Sequence, residues 1–562
     1  FANNDTVTVS FTPNAMTVRG GTTGLAITAS PSSSVTLHTQ TVKGASLSVS
    51  VAPTPIPQTV IAGTNKFVFA KYYLDATASG EDIKVNSFKF RNTYTGSPNV
   101  NDLVSCQIFD GENVLTTGGD VVSPSLDGTS PDDITFQLST PLAVSKGTLK
   151  TVDLACGVSG GAVAASSHTW GINSGVTGAV SAVGKDTGST ITANVITSAG
   201  QTMTVGTTGT LSVSLDPSTS GEQFAFAGGD TTVAVLKLDA EDEVIALEKI
   251  GVRLDTATAA LADVAKVMLW DGATKVGEGF FTGGSNTLAI NFSPTVLVPK
   301  DGSKTLTVKA TLAEVGTNKP GTTGHLVAIN YDGVNNTNTK GIGQDSGKSI
   351  NPSVSANTAA KGVRIVRTKP TVALLSLPSN VLTNSEMALY RFSVAADAAG
   401  DLGLYKFTFK VTETIASVTN LSLYAYTNSG FSTQAYGANP VKNTPVASPT
   451  LGIVEMYFNP AAGGSNEAIQ IPGTGITYFE LRGTITGSAT GASINTQLEG
   501  DAAYLASGYT GTATAVDADT NDDFIWSSHT TATAVPATSD WINGYVVSGL
   551  PSTNLSVQIL SK

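Results

Sequence analysis

Three stretches of this chain repeat one another about 160 residues apart, a spacing that suits whole domains rather than solenoid turns. LSVSVAP begins at Leu47, LSVSLDP at Leu211 and VALLSLP at Val372. Each leads into an alternating stretch, FVFAKYYLDA from Phe67, TVAVLKLDA from Thr232 and LYRFSVAAD from Leu389. An acidic turn follows, Glu81–Asp82, Glu241–Glu243 or Asp401, and then a second strand-like run, IKVNSFKF, IALEKIGVRL or LGLYKFTFK. CQIFDG from Cys106 answers VMLWDG from Val267 and, more loosely, LSLYAYT from Leu421. KTVDLACGV, KTLTVKATL and TYFELRGTI close the series from Lys150, Lys304 and Thr477.

Alternation with period two, punctuated by Gly, Asn, Asp, Pro and Ser, reads as short antiparallel strands. The expected fold class is therefore all-β, with tandem Ig-like β-sandwich domains. The repeats set the divisions at 1–46, 47–209, 210–369 and 370–562. In the second strand of every copy the apolar phase slips, from Val85 to Phe88, Leu247 to Ile250 and Leu404 to Phe407, which predicts a β-bulge, or a strand that bends between sheets, at the same place in each copy. The one helical signal, Thr256 to Val267, predicts a short connecting turn. The first 46 residues form no full copy. MTVRGGTTGL from Met16 resembles MTVGTTGTL from Met203, so this segment reads as the tail of a preceding repeat with an extra strand pair. It is too short for a core of its own and is expected to pack on a neighbour, in this chain or another copy.

Charge narrows the function. Charged residues make up 13% of the chain, about half the usual share. Lys and Arg form no run and the net charge is -12, which argues against nucleic acid as a partner. No apolar stretch reaches the length of a transmembrane segment, and FANNDTVTVS lacks the basic start and apolar block of a signal peptide. The chain thus reads as processed, or as beginning inside a longer precursor. Two cysteines, Cys106 and Cys156, fit an extracellular setting. Their counterparts in the second copy, Val267 and Ala310, read as inward-facing, so a bridge is within reach and two buried thiols are the alternative.

Catalytic patterns dissolve into the repeat. GIGQDSGKS, Gly341 to Ser349, misses the spacing of a phosphate-binding loop, and its DSG matches the DTG of VGKDTGSTI from Val183, so both read as one turn. The four histidines, His38, His168, His325 and His529, form no ligand pair, and His168 and His325 are assigned to matching strands. Asp75, Asp110, Asp239 and Asp271 recur between copies, as turn or strand-end residues do. The chain is read as not an enzyme. The most ligand-like spacing is D-A-D-T-N-D-D, which sets Asp517, Asp519, Asn521 and Asp523 at alternate positions as calcium loops do. It departs from an EF-hand in having Asp522 where Gly is needed and no following bidentate Glu. Structural Ca2+ is the expected cofactor if this loop binds metal, with a solvated acidic turn as the alternative.

The third copy ends in DDFIWSSHTTATAVPATSDWINGYVVSGLPSTNLSVQILSK. This ending, with the IFDG/LWDG strand, VPKDGSKTLTVKATL and QTVIAGT from Gln58, resembles repeat-containing, surface-layer-like proteins of uncultured candidate-phyla (Patescibacteria-type) bacteria. The resemblance covers most of the chain from Leu47. It implies an Ig-like array at the cell surface and brings no catalytic residues. The expected function is a structural cell-surface protein that self-assembles into a surface layer or extracellular filament. The expected partners are copies of itself and cell-envelope glycans. An adhesin or carbohydrate-binding array is the alternative, and a non-catalytic tail of a surface enzyme is a third.

Overall fold

The computed structural model describes residues 4–96, 98–126, 128–437, 439–442, 445–448, 452–458, 469–505, 521–530, 540–550 and 555–562. Among them the fold is all-β, in tandem β-sandwich domains of Ig-like character. The helical segments are single 3-10 turns, one of them Leu261–Asp263 inside the stretch with the helical signal. No helix among the described residues is long and apolar enough to cross a membrane.

Alternation along the strands builds three cores in series. One gathers Leu47 to Val205 between a seven-stranded and a six-stranded sheet. The next runs from Leu211 to Ile365. The last lies between the sheets led by Pro370–Leu374 and Val446–Ser448, and it also takes in Phe224 and Val366 from the second repeat. The strands that carry the phase slip are Ile83–Thr95, Ile245–Leu254 and Leu402–Thr414. Their ladders shift register between Val85 and Ser87, between Leu247 and Lys249, and between Leu404 and Lys406. One extra residue at this point turns the following side chains to the opposite face and keeps the apolar set inward.

The DTG and DSG turns are the same element, and a buried acid explains why. Glu81 accepts the backbone N–H of Asp186 and Thr187 and the hydroxyl of Thr187. Glu243 does the same for Asp345, Ser346 and the Ser346 hydroxyl. Each buried carboxylate is satisfied by the donors of its turn. The recurrent acids behave likewise: Asp110 pairs with Lys150 at 2.7 Å and Asp271 with Lys304 at 2.8 Å.

Cys106 and Cys156 are joined by a disulfide on neighbouring strands, Leu103–Asp110 and Leu149–Val158. Their Cα atoms are 3.9 Å apart, at a register irregularity of that pair. Val267 and Ala310 face each other at the matching place in the second repeat.

The N-terminal segment, expected to pack on a neighbour in this chain or another copy, pairs its strands with one another. It closes on itself as a β-ribbon, with Thr6 paired to Thr41, Phe11 to Val35 and Val18 to Ile27. These strands join no sheet of the first sandwich. The ribbon meets that domain at its base, where the Gly80 N–H bonds the Gly44 carbonyl. Short-range pairing satisfies the backbone without a long loop to close, which is why the hairpin forms in place of a distant partner.

Candidate functional site

The third domain departs from the other two on the outer face of its bulged strand. In the first two domains the strands Val180–Gly184 and Lys340–Gly343 pair beside the bulge and run into the Glu-held turn. Phe524–Ser527 takes that place in the third. It returns as Trp541–Ile542, which pairs back on it, Trp526 to Ile542 and Ser527 to Trp541. Asp540 accepts from the Ser527 hydroxyl and from Thr530 and holds the two together.

The same hairpin exists in the first two domains, where Thr190–Ile191 and Ser349–Ile350 pair back, but in the third its side chains bury what the second repeat exposes. The bulge residue is Glu248 at the surface in the second repeat but Tyr405, fully covered, in the third. Tyr405, Tyr457, Ile525 and Trp541 form a small core on the outside of the sheet. The next position is half-buried Lys249 in the second repeat and wholly buried Lys406 in the third. Lys406 Nζ lies 2.9 Å from Glu455 Oε1 and 3.0 Å from Asp522 Oδ1. The Tyr457 hydroxyl donates to Glu455 Oε2 at 3.0 Å. Burial alone would lower the Lys406 ammonium, yet Asp522, Tyr457 and Glu455 hold it above its ordinary value.

Beside this pair lies a second buried acid group. Asp501 accepts the backbone N–H of Asp523, Phe524 and Gly544. Asn543 donates from its side chain to the carbonyls of Ala503 and Asn521, both at 2.8 Å. Burial raises the Asp501 carboxyl to about 7, against the pull of those N–H donors. Burial and then the charge of Asp501 raise Asp523 to about 8.

The sign of the resulting pH dependence follows from linkage. Unfolded carboxyls release their protons near pH 4, whereas these two keep theirs in the folded state. The stability they contribute is complete below about pH 4 and is lost as pH rises toward about 8. Thr187 holds Glu81 low and Arg91 holds Asp133 low in the first domain, which gives the opposite sign there. Calorimetry between about pH 5 and about 8 is expected to show the third domain's transition falling in temperature. Asp523→Asn is expected to flatten that fall, and an unchanged slope in the variant would refute the assignment. Calcium seated against Asp523 would keep the carboxyl charged, so repeating the titration with millimolar calcium tests the metal expectation as well.

Of the four calcium candidates, Asp517 and Asp519 lie outside the described residues. The Asn521 side-chain oxygen takes the Ala503 N–H at 2.8 Å, and Asp523 is buried beside Asp501. Among the described residues no three metal-ligating side chains converge. His168 sits fully buried in Ser167–Gly171, its pKa lowered to about 4 by burial against the opposing charge of Asp102. His325 is not in a strand: it precedes Leu326–Val327 and bonds the buried Asp263 at 2.7 Å. Sequence reasoning missed Lys406, Glu455 and Asp501, and it missed Glu81 and Glu243 as turn anchors. The signal for the last two is an acid two residues before every bulged strand of the first two copies.

The same region meets the second domain. Phe224 stands edge-on to Trp526 with ring centres 5.4 Å apart, and Arg364 lies 3.3 Å over the Tyr504 ring. The Arg367 guanidinium donates to the His529 carbonyl at 3.0 Å. No family model matches the chain, and no curated protein matches it. Among solved structures it is similar to a putative membrane-anchored protein of Corynebacterium diphtheriae at 12% identity and a TM-score of 0.18, covering 88% of this chain and 92% of that one. The C-terminal domain of the Streptococcus agalactiae AgI/II polypeptide BspA matches at 11% identity and a TM-score of 0.17, covering 52% of this chain and 95% of that one. The C-terminal domain of the Streptococcus pyogenes antigen I/II-family protein AspA gives 12%, 0.17, 52% and 94%.

Proposed function

We propose that this chain is a structural component of a cell surface and assembles with copies of itself into a layer or filament. The N-terminal ribbon carries the reading. Its Val9, Phe11, Val35 and Leu37 side chains are exposed, and a folded chain gains by covering such a face. The charge-poor composition supports it, because contacts between such surfaces desolvate few ions. The disulfide supports an extracellular setting, since such bridges persist under oxidising conditions. The resemblance of the C-terminal ending to surface-layer-like proteins of candidate-phyla bacteria points the same way, and envelope glycans remain the proposed second partner. Negative-stain microscopy and sedimentation of the full chain test the proposal. Filaments or sheets are expected, and a chain that stays monomeric at high concentration overturns it.

A further inference from the structure

The ribbon is amphipathic in the manner of a sheet. Thr8 pairs its hydroxyl with Thr39 and Thr12 with Ser34, both at 2.7 Å, on one face. Val9, Phe11, Val35 and Leu37 line the other. A two-stranded ribbon is marginal by itself and gains most from covering such a face.

The far end of the chain offers a matching surface. Each sandwich ends in a strand that runs parallel to an early strand of the same domain. Thr202–Gly206 lies along Gln58–Ile61, and Val363–Val366 along Gln223–Phe226. In the third domain Val381 bridges Ser561 in the same parallel sense, beside Gln558–Ser561. In the first two domains this end receives the next one. Gly63, just past Ile61, abuts the Asp345 carbonyl so closely that a Cβ would sit 2.5 Å from it. Phe224 and Arg364 receive Trp526 and Tyr504. The last strand of the first domain turns Thr202 and Thr204 outward, whereas that of the third turns out Ile559, with Val557 before it. Val381, Val557 and Ile559 are all exposed among the described residues, Ile559 to 50%.

We infer that this end of the third domain is the docking face for the N-terminal ribbon of a second copy, so that subunits join head to tail. The inference rests on the self-assembly proposed above. The contact extends to a new subunit the arrangement that already joins the domains inside the chain. A face and its complement at opposite ends cannot both be satisfied in a closed pair unless the rotation closes, so the product is an open chain of subunits.

Two experiments test it. Chains carrying Leu37→Cys and chains carrying Ile559→Cys are mixed under oxidising conditions. A disulfide-linked heterodimer is expected. A mixture with Leu297→Cys, exposed in the second domain, is expected to give none. Leu37→Lys and Ile559→Lys, each checked for an unchanged melting temperature, are then compared in sedimentation. Each is expected to lower the association constant at least about tenfold. If the wild-type chain assembles while both Lys variants assemble equally well and no heterodimer forms, the docking face is wrong and self-assembly stands. A wild-type chain that never assembles removes both.

Discussion

Lys406→Met is expected to destabilise the third domain by about 3–5 kcal/mol, the usual cost of leaving buried charges without their partner. Lys406 is fully covered, and Glu455 and Asp522 rest on it. Methionine removes the ammonium and leaves two acids facing each other under the Tyr405–Trp541 cover. For a domain of this size the loss corresponds to a fall of roughly 6–20 °C in its melting transition. Two controls separate charge from packing. Lys249→Met, at the matching half-buried position of the second domain, is expected to stay within about 0.5 kcal/mol. Adding Glu455→Gln to Lys406→Met is expected to restore part of the loss, because a neutral amide costs less to bury. Differential scanning calorimetry reads all three, and a Lys406→Met transition unmoved from wild type would show the pair to be dispensable.

The second large effect is expected at the disulfide. Cys106 and Cys156 are 50 residues apart in sequence, and closing a loop of that length is worth about 4 kcal/mol in the chain-entropy account. The second domain supplies the replacement: Cys106→Val with Cys156→Ala copies the Val267–Ala310 pair found there. That variant keeps apolar side chains in place, so it is expected to fold and to lose stability mainly through the freer unfolded chain. The first domain's transition falls by roughly 8–16 °C while the others hold. Mass spectrometry of the denatured, unreduced wild type is expected to find no alkylatable thiol. Two labelled thiols would overturn the prediction.

What the sequence discloses follows from range. The bulge was legible because its cause is local: an apolar phase that slips within four residues, in three copies. The identity of the DTG and DSG turns was legible because each recurs in its repeat. Their anchoring was not, since Glu243 and Ser346 are separated by 103 residues and nothing local marks an acid as buried. The outer core of the third domain was hidden for the same reason. Tyr405 and Trp541 meet only through the C-terminal ending, and a lysine inside a strand reads as surface until its cover is known. The ribbon's self-pairing was not legible, because its pairings run only two residues at a time and carry little periodic signal. The calcium spacing rested on four alternate oxygens; of the two described, one is engaged by the backbone and the other is buried by a neighbouring acid.

The parallel pairings have a mechanical meaning. In the first domain, Ser48–Val51 lies parallel to Asn194–Val195, and Gln58–Ile61 parallel to Thr202–Gly206. Both join the start of the domain to its finish. Tension applied at the two ends of the repeat pulls such strands past each other along their length, loading their hydrogen bonds together instead of opening them one by one. A chain of such modules transmits a tug from one end to the other before any sandwich gives way. The second domain, with Gln223–Phe226 along Val363–Val366, is built to bear the same load. In the third domain, among the described residues, the parallel contacts between start and finish are the isolated bridges Val381–Ser561 and Thr371–Ser548, so fewer parallel hydrogen bonds share the load there.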